Sequence, residues 1–257
     1  MNHKPLLLIT NDDGYDAPGI RHLIDFVKEM GDLIVVAPEY PQSGMGHAVT
    51  IATPLRIRPI VEENGYSEYA CNGTPVDAVK LALDKVCPRK PDILLSGINH
   101  GTNFSINVIY SGTMGAAIEG ALANIPSIGF SLNDFSRYAD FFPAKKYIQA
   151  IVDNILKNPK PDNLCLNVNI PAVGENEIKG IKVCRQSIAN WIEEYEERDD
   201  PHKRKYFWLT GTFNNTDNNS DTDAFALEHN YISVVPVTID FTNHNQLQAL
   251  KKRTFHV

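Results

Sequence analysis

Asp12 and Asp13 stand side by side where the all-apolar run LLLIT (6–10) gives way to the polar turn NDDG. Such a run predicts a strand buried on both faces, which sets the two carboxylates just past its carboxyl end. Two negative charges in so small a volume repel, and a bound cation relieves the repulsion. A solvated turn capping the next helix is the other reading of the same dipeptide. Three further segments carry oxygen-bearing side chains to the same kind of place. Ser43 with Gly44 follows the second apolar run, Asn99 follows the third, and Ser111-Gly112-Thr113 opens a small-residue helix. Oxygen donors from Asp, Ser and Asn suit Mg²⁺, Mn²⁺ or Ca²⁺, whereas zinc prefers sulfur and nitrogen. The start of the small-residue helix offers unpaired N–H groups and a positive dipole end, a cradle for phosphate. Together they point to phosphoryl chemistry. Singly, Ser43-Gly44 and Asn99 also read as turn residues and Thr113 as a helix cap.

Other chemistries lack their signatures. No GxxxxGK[ST] loop occurs, no GxGxxG follows a strand, and the eight histidines contain no HExxH pair. NDDG also lacks the DxDxT spacing of haloacid-dehalogenase-type phosphatases. The four cysteines, Cys71, Cys87, Cys165 and Cys184, are dispersed, which argues against a zinc site or a disulfide framework and for reduced thiols in the cytoplasm.

The elements that must hold these residues follow a regular order. Pro18, Ile20, Leu23, Ile24, Val27 and Met30 at helical spacing, with Gly31 as the expected residue just past the end, describe an amphipathic helix. LIVVAP (33–38) is a second buried strand, completing a βαβ unit, and such units build parallel sheets. Residues 50–60 alternate as extended structure. Thr74, Pro75 and Asp77 cap a helix over 73–86, and DILLS (92–96) is a third strand ending in the turn GINHGTN. Residues 110–124 form the small-residue helix, 126–132 a fourth strand, 144–158 another helix, and 164–171 and 181–187 later strands. Beyond Ser187 the character changes to a charged, aromatic hairpin or arm (191–213), an Asn/Asp-rich turn, a last strand (231–237) and a short helix. The expected architecture is α/β: a Rossmann-like three-layer αβα core with a mostly parallel sheet over 1–187, and a C-terminal extension over 188–257.

With 257 residues, 43% hydrophobic and 21% charged, the chain can bury a large core. Its net charge of −7 lacks the basic footprint of a partner for nucleic-acid polymers or anionic membranes. The apolar run near the start is too short for a signal peptide, and no stretch approaches a membrane span.

Five motifs resemble, in order, the survival protein E family of metal-dependent 5′/3′-nucleotidases: LLLITNDDGYDAPGI (6–20), VVAPEYPQSGMGHAVT (35–50), NGTPVDAVKLAL (72–83), PDILLSGINHGTN (91–103) and IYSGTMGAAIEGALANIPSIGFSL (109–132). Weaker likeness continues in RQS (185–187) and YISVVPVTIDFT (231–242). The resemblance implies one divalent ion per subunit, Mg²⁺ or Mn²⁺, held by Asp12, Asp13, Ser43 and Asn99. It implies hydrolysis of nucleoside monophosphates and a homodimer or homotetramer with exchanged C-terminal extensions. Asn103, Ser111, Gly112 and Thr113 fall where the family contacts phosphate, and Asp240 with His244 matches its D-x-T-x-H tail. On that basis Asp12 orients or deprotonates the attacking water, Asn103 and the helix start hold the phosphoryl oxygens, and His244 protonates the leaving oxygen. A phospho-aspartate enzyme and a non-catalytic nucleotide-binding module are the alternatives. The family usually reads Asn-x-Gly where this chain has Asn103-Phe104-Ser105, so either the loop is shaped differently or the glycine never needed positive φ.

Overall fold

The structure, a computed structural model, describes residues 4–253. The chain runs β1 (Leu6–Thr10), α1 (Pro18–Val27), β2 (Asp32–Pro38), β3 (Ile57–Glu63), β4 (Tyr66–Cys71), α2 (Pro75–Leu81), β5 (Ile93–His100), α3 (Gly112–Leu122), β6 (Ser127–Leu132), α4 (Lys145–Lys157), β7 (Cys165–Ile170), β8 (Ile181–Val183), β9 (Ala189–Asp199), β10 (Lys205–Asn215), α5 (Asp223–Glu228), β11 (Ile232–Pro236) and α6 (His244–Leu250). β1 is buried throughout. Its alternating side chains split between two cores: Leu7 and Ile9 pack with α1 and α4, Leu6 and Leu8 with α2 and α3.

Nine strands form the central sheet in the order β3-β4-β2-β1-β5-β6-β7-β11-β8. The six from β4 to β7 are parallel, while β3 runs antiparallel to β4 and β11 to β7. Helices cover both faces, giving the three-layer α/β architecture the sequence predicts. From β1 the chain passes to β2 on one side and later to β5 on the other. Strand order therefore reverses at β1, and the crevice beyond the carboxyl ends of β1 and β5 is where open α/β sheets bind ligands.

Several local expectations hold and others change. Thr74 and Asp77 form the reciprocal cap: Thr74 Oγ1 accepts from Asp77 N–H at 3.1 Å, and the Asp77 carboxylate accepts from Thr74 N–H at 2.9 Å. α1 ends at Val27 with Lys28 as its cap, so Gly31 lies beyond the closing residue expected there. Regular strand begins only at Ile57; earlier, the Thr50 N–H is drawn to the Asp77 carboxylate at 3.0 Å. β5 does not stop at Ser96 but continues to His100, with a bulge between Ser96 and Asn99. Gly97 permits this bulge: its φ is +127°, and a Cβ there would lie 2.3 Å from the Phe130 carbonyl oxygen.

β9 and β10 pair antiparallel over eleven residues as a two-stranded ribbon outside the main sheet, the arm read from the charge-and-aromatic run. At its root the Arg185 guanidinium grips the buried Asp217 carboxylate with two bonds of 2.6 and 3.1 Å. β11, from the segment expected as an extension, lies in the central sheet between β7 and β8. No helix of the described residues is long and apolar enough to cross a membrane.

Candidate active site

The turn after β1 is the centre of the site, because each neighbouring segment bonds to it. Asp12 is buried and Asp13 partly so. Burial, and next the charge of Asp13, push the Asp12 carboxyl up to about 6. Burial also raises Asp13, against the opposing pull of His100. The Gln42 N–H donates to the Asp12 carbonyl at 2.7 Å, bringing the loop that carries exposed Ser43 against the turn. The His100 N–H reaches Asp13 Oδ2 at 3.3 Å, bringing up the end of β5 with Asn99. Asn99 spends its amide N–H on the Gly101 carbonyl at 2.7 Å, which leaves its oxygen available.

The start of α3 closes the opposite wall. Thr113 Oγ1 donates to Asp12 Oδ1 at 2.5 Å. Gly112 comes so close that an added Cβ would stand 2.8 Å from Asp12 Cβ and 3.0 Å from Oδ2, so only glycine fits there. Ser111 caps the helix, its oxygen accepting from Met114 N–H at 3.0 Å, and its own hydroxyl proton remains free to donate. Gly112 and Thr113 occupy the first turn, whose N–H groups have no partner within the helix. The arrangement sets a buried carboxylate directly against the positive end of a helix.

Asn103 is fixed by a set of bonds that the sequence reading missed. Its Nδ2 donates to Ser131 Oγ at 2.8 Å, and Ser131 is the β6 partner of Asn99. Its N–H donates to Asn169 Oδ1 and its carbonyl accepts from Asn167 Nδ2, both at 2.7 Å. Asn167 and Asn169 are joined to each other on β7. Two asparagines alternating inside the apolar run LCLNVNIP were the available signal, since buried amides need partners. Ser105, the residue where the family usually has glycine, keeps a left-handed backbone at φ 55°. The loop therefore has the shape a glycine would allow. It is held by Asp223 Oδ2, which accepts from Ser105 N–H at 2.8 Å, and by the Ser105 hydroxyl, which donates to the Ser187 carbonyl at 2.9 Å.

The donor chemistry fits a hard divalent ion. Two acidic side chains are adjacent in the turn after β1, the neighbouring Asn11 carries a buried Oδ1 without a partner, and the side-chain oxygens of Ser43 and Asn99 are neutral. Among the described residues no three His, Cys, Asp or Glu side chains converge as a metal-ligating group.

A model of the family described as Survival protein SurE matches residues 7–193. The chain belongs to the SurE family. It is 56% identical over 249 residues to the 5′-nucleotidase SurE of Christiangramia forsetii, covering 96% of both chains. Against that of Phocaeicola vulgatus it is 44% identical over 255 residues, covering 99% of this chain and 98% of the other. The crystal structure of the SurE protein from Aquifex aeolicus superposes with a TM-score of 0.83 at 36% identity, covering 96% of this chain and 98% of that one.

The tail residues that the SurE resemblance adds bond to each other. His244 Nε2 pairs with Asp240 Oδ2 at 2.9 Å, with both side chains exposed. Hydrogen bonds from Thr242, and next the His244 contact, hold the Asp240 carboxyl down to about 2. Within one chain no hydrogen bond or ion pair among the described residues joins this pair to Asp12, Asp13, Asn99 or Asn103. What does reach Ser111 is the segment on either side of Asp240: Val237, Thr238, Ile239 and Phe241 line a hollow of about 460 Å³ together with it.

Proposed function

We propose that this chain is a 5′-nucleotidase, acting also on 3′-monophosphates, that hydrolyses nucleoside monophosphates to nucleoside and phosphate by direct attack of water. The observation that carries the reading is the Asp12–Thr113 bond, which joins a buried acid to the start of a helix shaped to receive phosphate. The same activity is printed in the names of curated SurE relatives matched along nearly the whole chain.

Asp12, Asp13, Ser43 and Asn99 would hold one Mg²⁺ or Mn²⁺ ion, which when bound supplies positive charge to a phosphoryl oxygen and acidifies a water. Ser111, through its free hydroxyl proton, and the first-turn N–H groups of Gly112 and Thr113 bind the phosphoryl oxygens, where donors held in advance count most as charge develops. Asn103 supports the same oxygens, kept in place by Ser131, Asn167 and Asn169. Asp12 orients the attacking water and takes its proton. His244 protonates the leaving ribose oxygen, with Asp240 holding its ring. Support for that role is the seating of the preceding tail segment beside Ser111.

The working form is a homodimer or homotetramer in which the outer part of the C-terminal extension over 188–257 is exchanged, while β11 stays in the central sheet of its own chain. Supporting this, Tyr195, Phe207, Trp208 and Leu209 of the arm present apolar surface to solvent. All four cysteines are free thiols, in keeping with a cytoplasmic setting. Release of inorganic phosphate from AMP and GMP, with Mn²⁺ and with EDTA, tests the reading. Turnover with the ion, loss of it in EDTA and no trapped acyl-phosphate are expected. Binding without turnover, EDTA-resistant turnover, or a phospho-aspartate adduct would each refute it.

A further inference from the structure

A slot opens between the root of the arm and the two loops that carry Ser43 and Ser111. Gly44, Tyr110, Trp191, Glu193, Leu209, Thr210 and Gly211 line it, and its volume is about 490 Å³, within the roughly 300–1,000 Å³ usual for small-molecule sites. Gly44 and Tyr110 are the chain neighbours of Ser43 and Ser111, so the slot begins where the phosphate cradle ends. Its indole wall is fixed in place. Trp191 Nε1 donates to Asn107 Oδ1 at 2.8 Å. The ring packs edge-on against Phe213 at 5.4 Å, and Phe213 packs in the same way against Phe104 at 5.1 Å, the residue after Asn103. Tyr110 adds a second, half-exposed ring. The lining holds no Lys or Arg, while Glu193 adds negative charge. A phosphate is repelled from such a surface, so it suits the uncharged end of a substrate whose phosphate sits at α3.

We propose that this slot is the base subsite. The aromatic base lies against Trp191 and Tyr110, and Glu193 accepts from an edge that donates hydrogen bonds. Guanine presents N1–H and N2–H₂ side by side to one carboxylate, so guanine nucleotides are preferred over uracil nucleotides, whose edge offers a single donor. This rests on the phosphomonoesterase reading above. The hollow on the other flank of Ser111 is the rival location. Its walls are mainly aliphatic, with Ile118, Leu122 and Ile239 beside one exposed phenyl ring, Phe241.

Two measurements test the slot separately from the reaction. In a Trp208→Phe background Trp191 is the only tryptophan of the two in the chain, and its emission should be quenched by GMP but not by ribose 5-phosphate. In turnover, Trp191→Ala and Tyr110→Ala should each lower the kcat/KM ratio of GMP to ribose 5-phosphate about tenfold, the order expected for one base–aromatic stack. Trp191→Phe should restore most of that ratio, and Glu193→Gln should lower the ratio of GMP to UMP. Unmoved Trp191 emission with unchanged ratios in both alanine variants overturns the proposal, as does a loss produced by Phe241→Ala instead. If the wild-type enzyme cleaves no phosphomonoester, the functional reading fails, while the emission titration still decides the slot.

Discussion

Replacing Asp12 by Asn separates what this residue does for catalysis from what its charge costs the fold. The carboxyl titrates at about 6 in the folded protein, against an ordinary value of 3.8. A raised acid holds its proton more tightly when folded, so its stabilising effect is complete below about pH 4 and is lost as pH climbs through 6. With one pKa unit equivalent to about 1.4 kcal/mol, ionised Asp12 costs the ion-free protein about 3 kcal/mol by pH 8, of which roughly half is lost between pH 5 and 8. Asn keeps the shape and still accepts from the Thr113 hydroxyl, but carries no charge. In EDTA, Asp12→Asn should therefore unfold at higher denaturant than wild type at pH 8, with the gap shrinking by about half at pH 5. Saturating Mn²⁺ should close or reverse the gap, because only the wild type gains fully from the ion. Phosphatase turnover should fall at least a thousandfold, on the order of removing a catalytic base. Urea unfolding at the two pH values, with and without the ion, measures each quantity. A variant no more stable than wild type at pH 8 in EDTA, or a gap that widens towards acid, would refute the reasoning.

Gly112→Ala drives a methyl into Asp12, so kcat should drop at least tenfold while urea unfolding shows overpacking of about 1–3 kcal/mol. Asn169→Ala removes the acceptor of the Asn103 N–H and should lower kcat/KM for AMP, with full turnover refuting a positioning role. Asp223→Ala strips the acceptor from the Ser105, Ser187 and Ala224 N–H groups and should cost about 3 kcal/mol in denaturant unfolding, each orphaned donor contributing about 1. Arg21→Met leaves the buried Glu68 without its two guanidinium bonds and should destabilise by about 3 kcal/mol, whereas Arg21→Met combined with Glu68→Gln should recover much of that loss.

What the sequence revealed and what it hid follow the range of the forces involved. LLLIT and LIVVAP announce buried parallel strands because each is apolar on both faces over a few residues. Thr74 with Asp77 announces a cap whose bonds close within four residues, whereas at the small-residue helix the sequence offers Thr113 as the cap and the structure uses Ser111. The Asp12-Asp13 turn could be placed at a strand end for the same reason. The contacts that complete the site join residues far apart, and local patterning does not encode them. Thr113 meets Asp12 across 101 positions, and Ser105 meets Asp223 across 118. The bulge that keeps Asn99 within β5 was hidden in GIN, which reads as a turn until β6 is laid beside it. Asn167 and Asn169 are conspicuous only once their strand is known to be interior. Ser105 shows the same limit from the other side: its left-handed backbone is held by a carboxylate on α5, not by its own preference.

In the proposed mechanism the bond between Thr113 and Asp12 also ties cation affinity to anion affinity. A hydroxyl has one proton to give, so Thr113 cannot serve Asp12 and an incoming phosphoryl oxygen together. A metal sharing the charge of Asp12 would leave that hydroxyl free to turn towards the ester. Ion and nucleotide would then be reciprocal effectors: whatever factor the first adds to the binding of the second, the second returns to the first. The apparent affinity for nucleotide should consequently track the concentration of free divalent ion, even at a subsite the ion never touches.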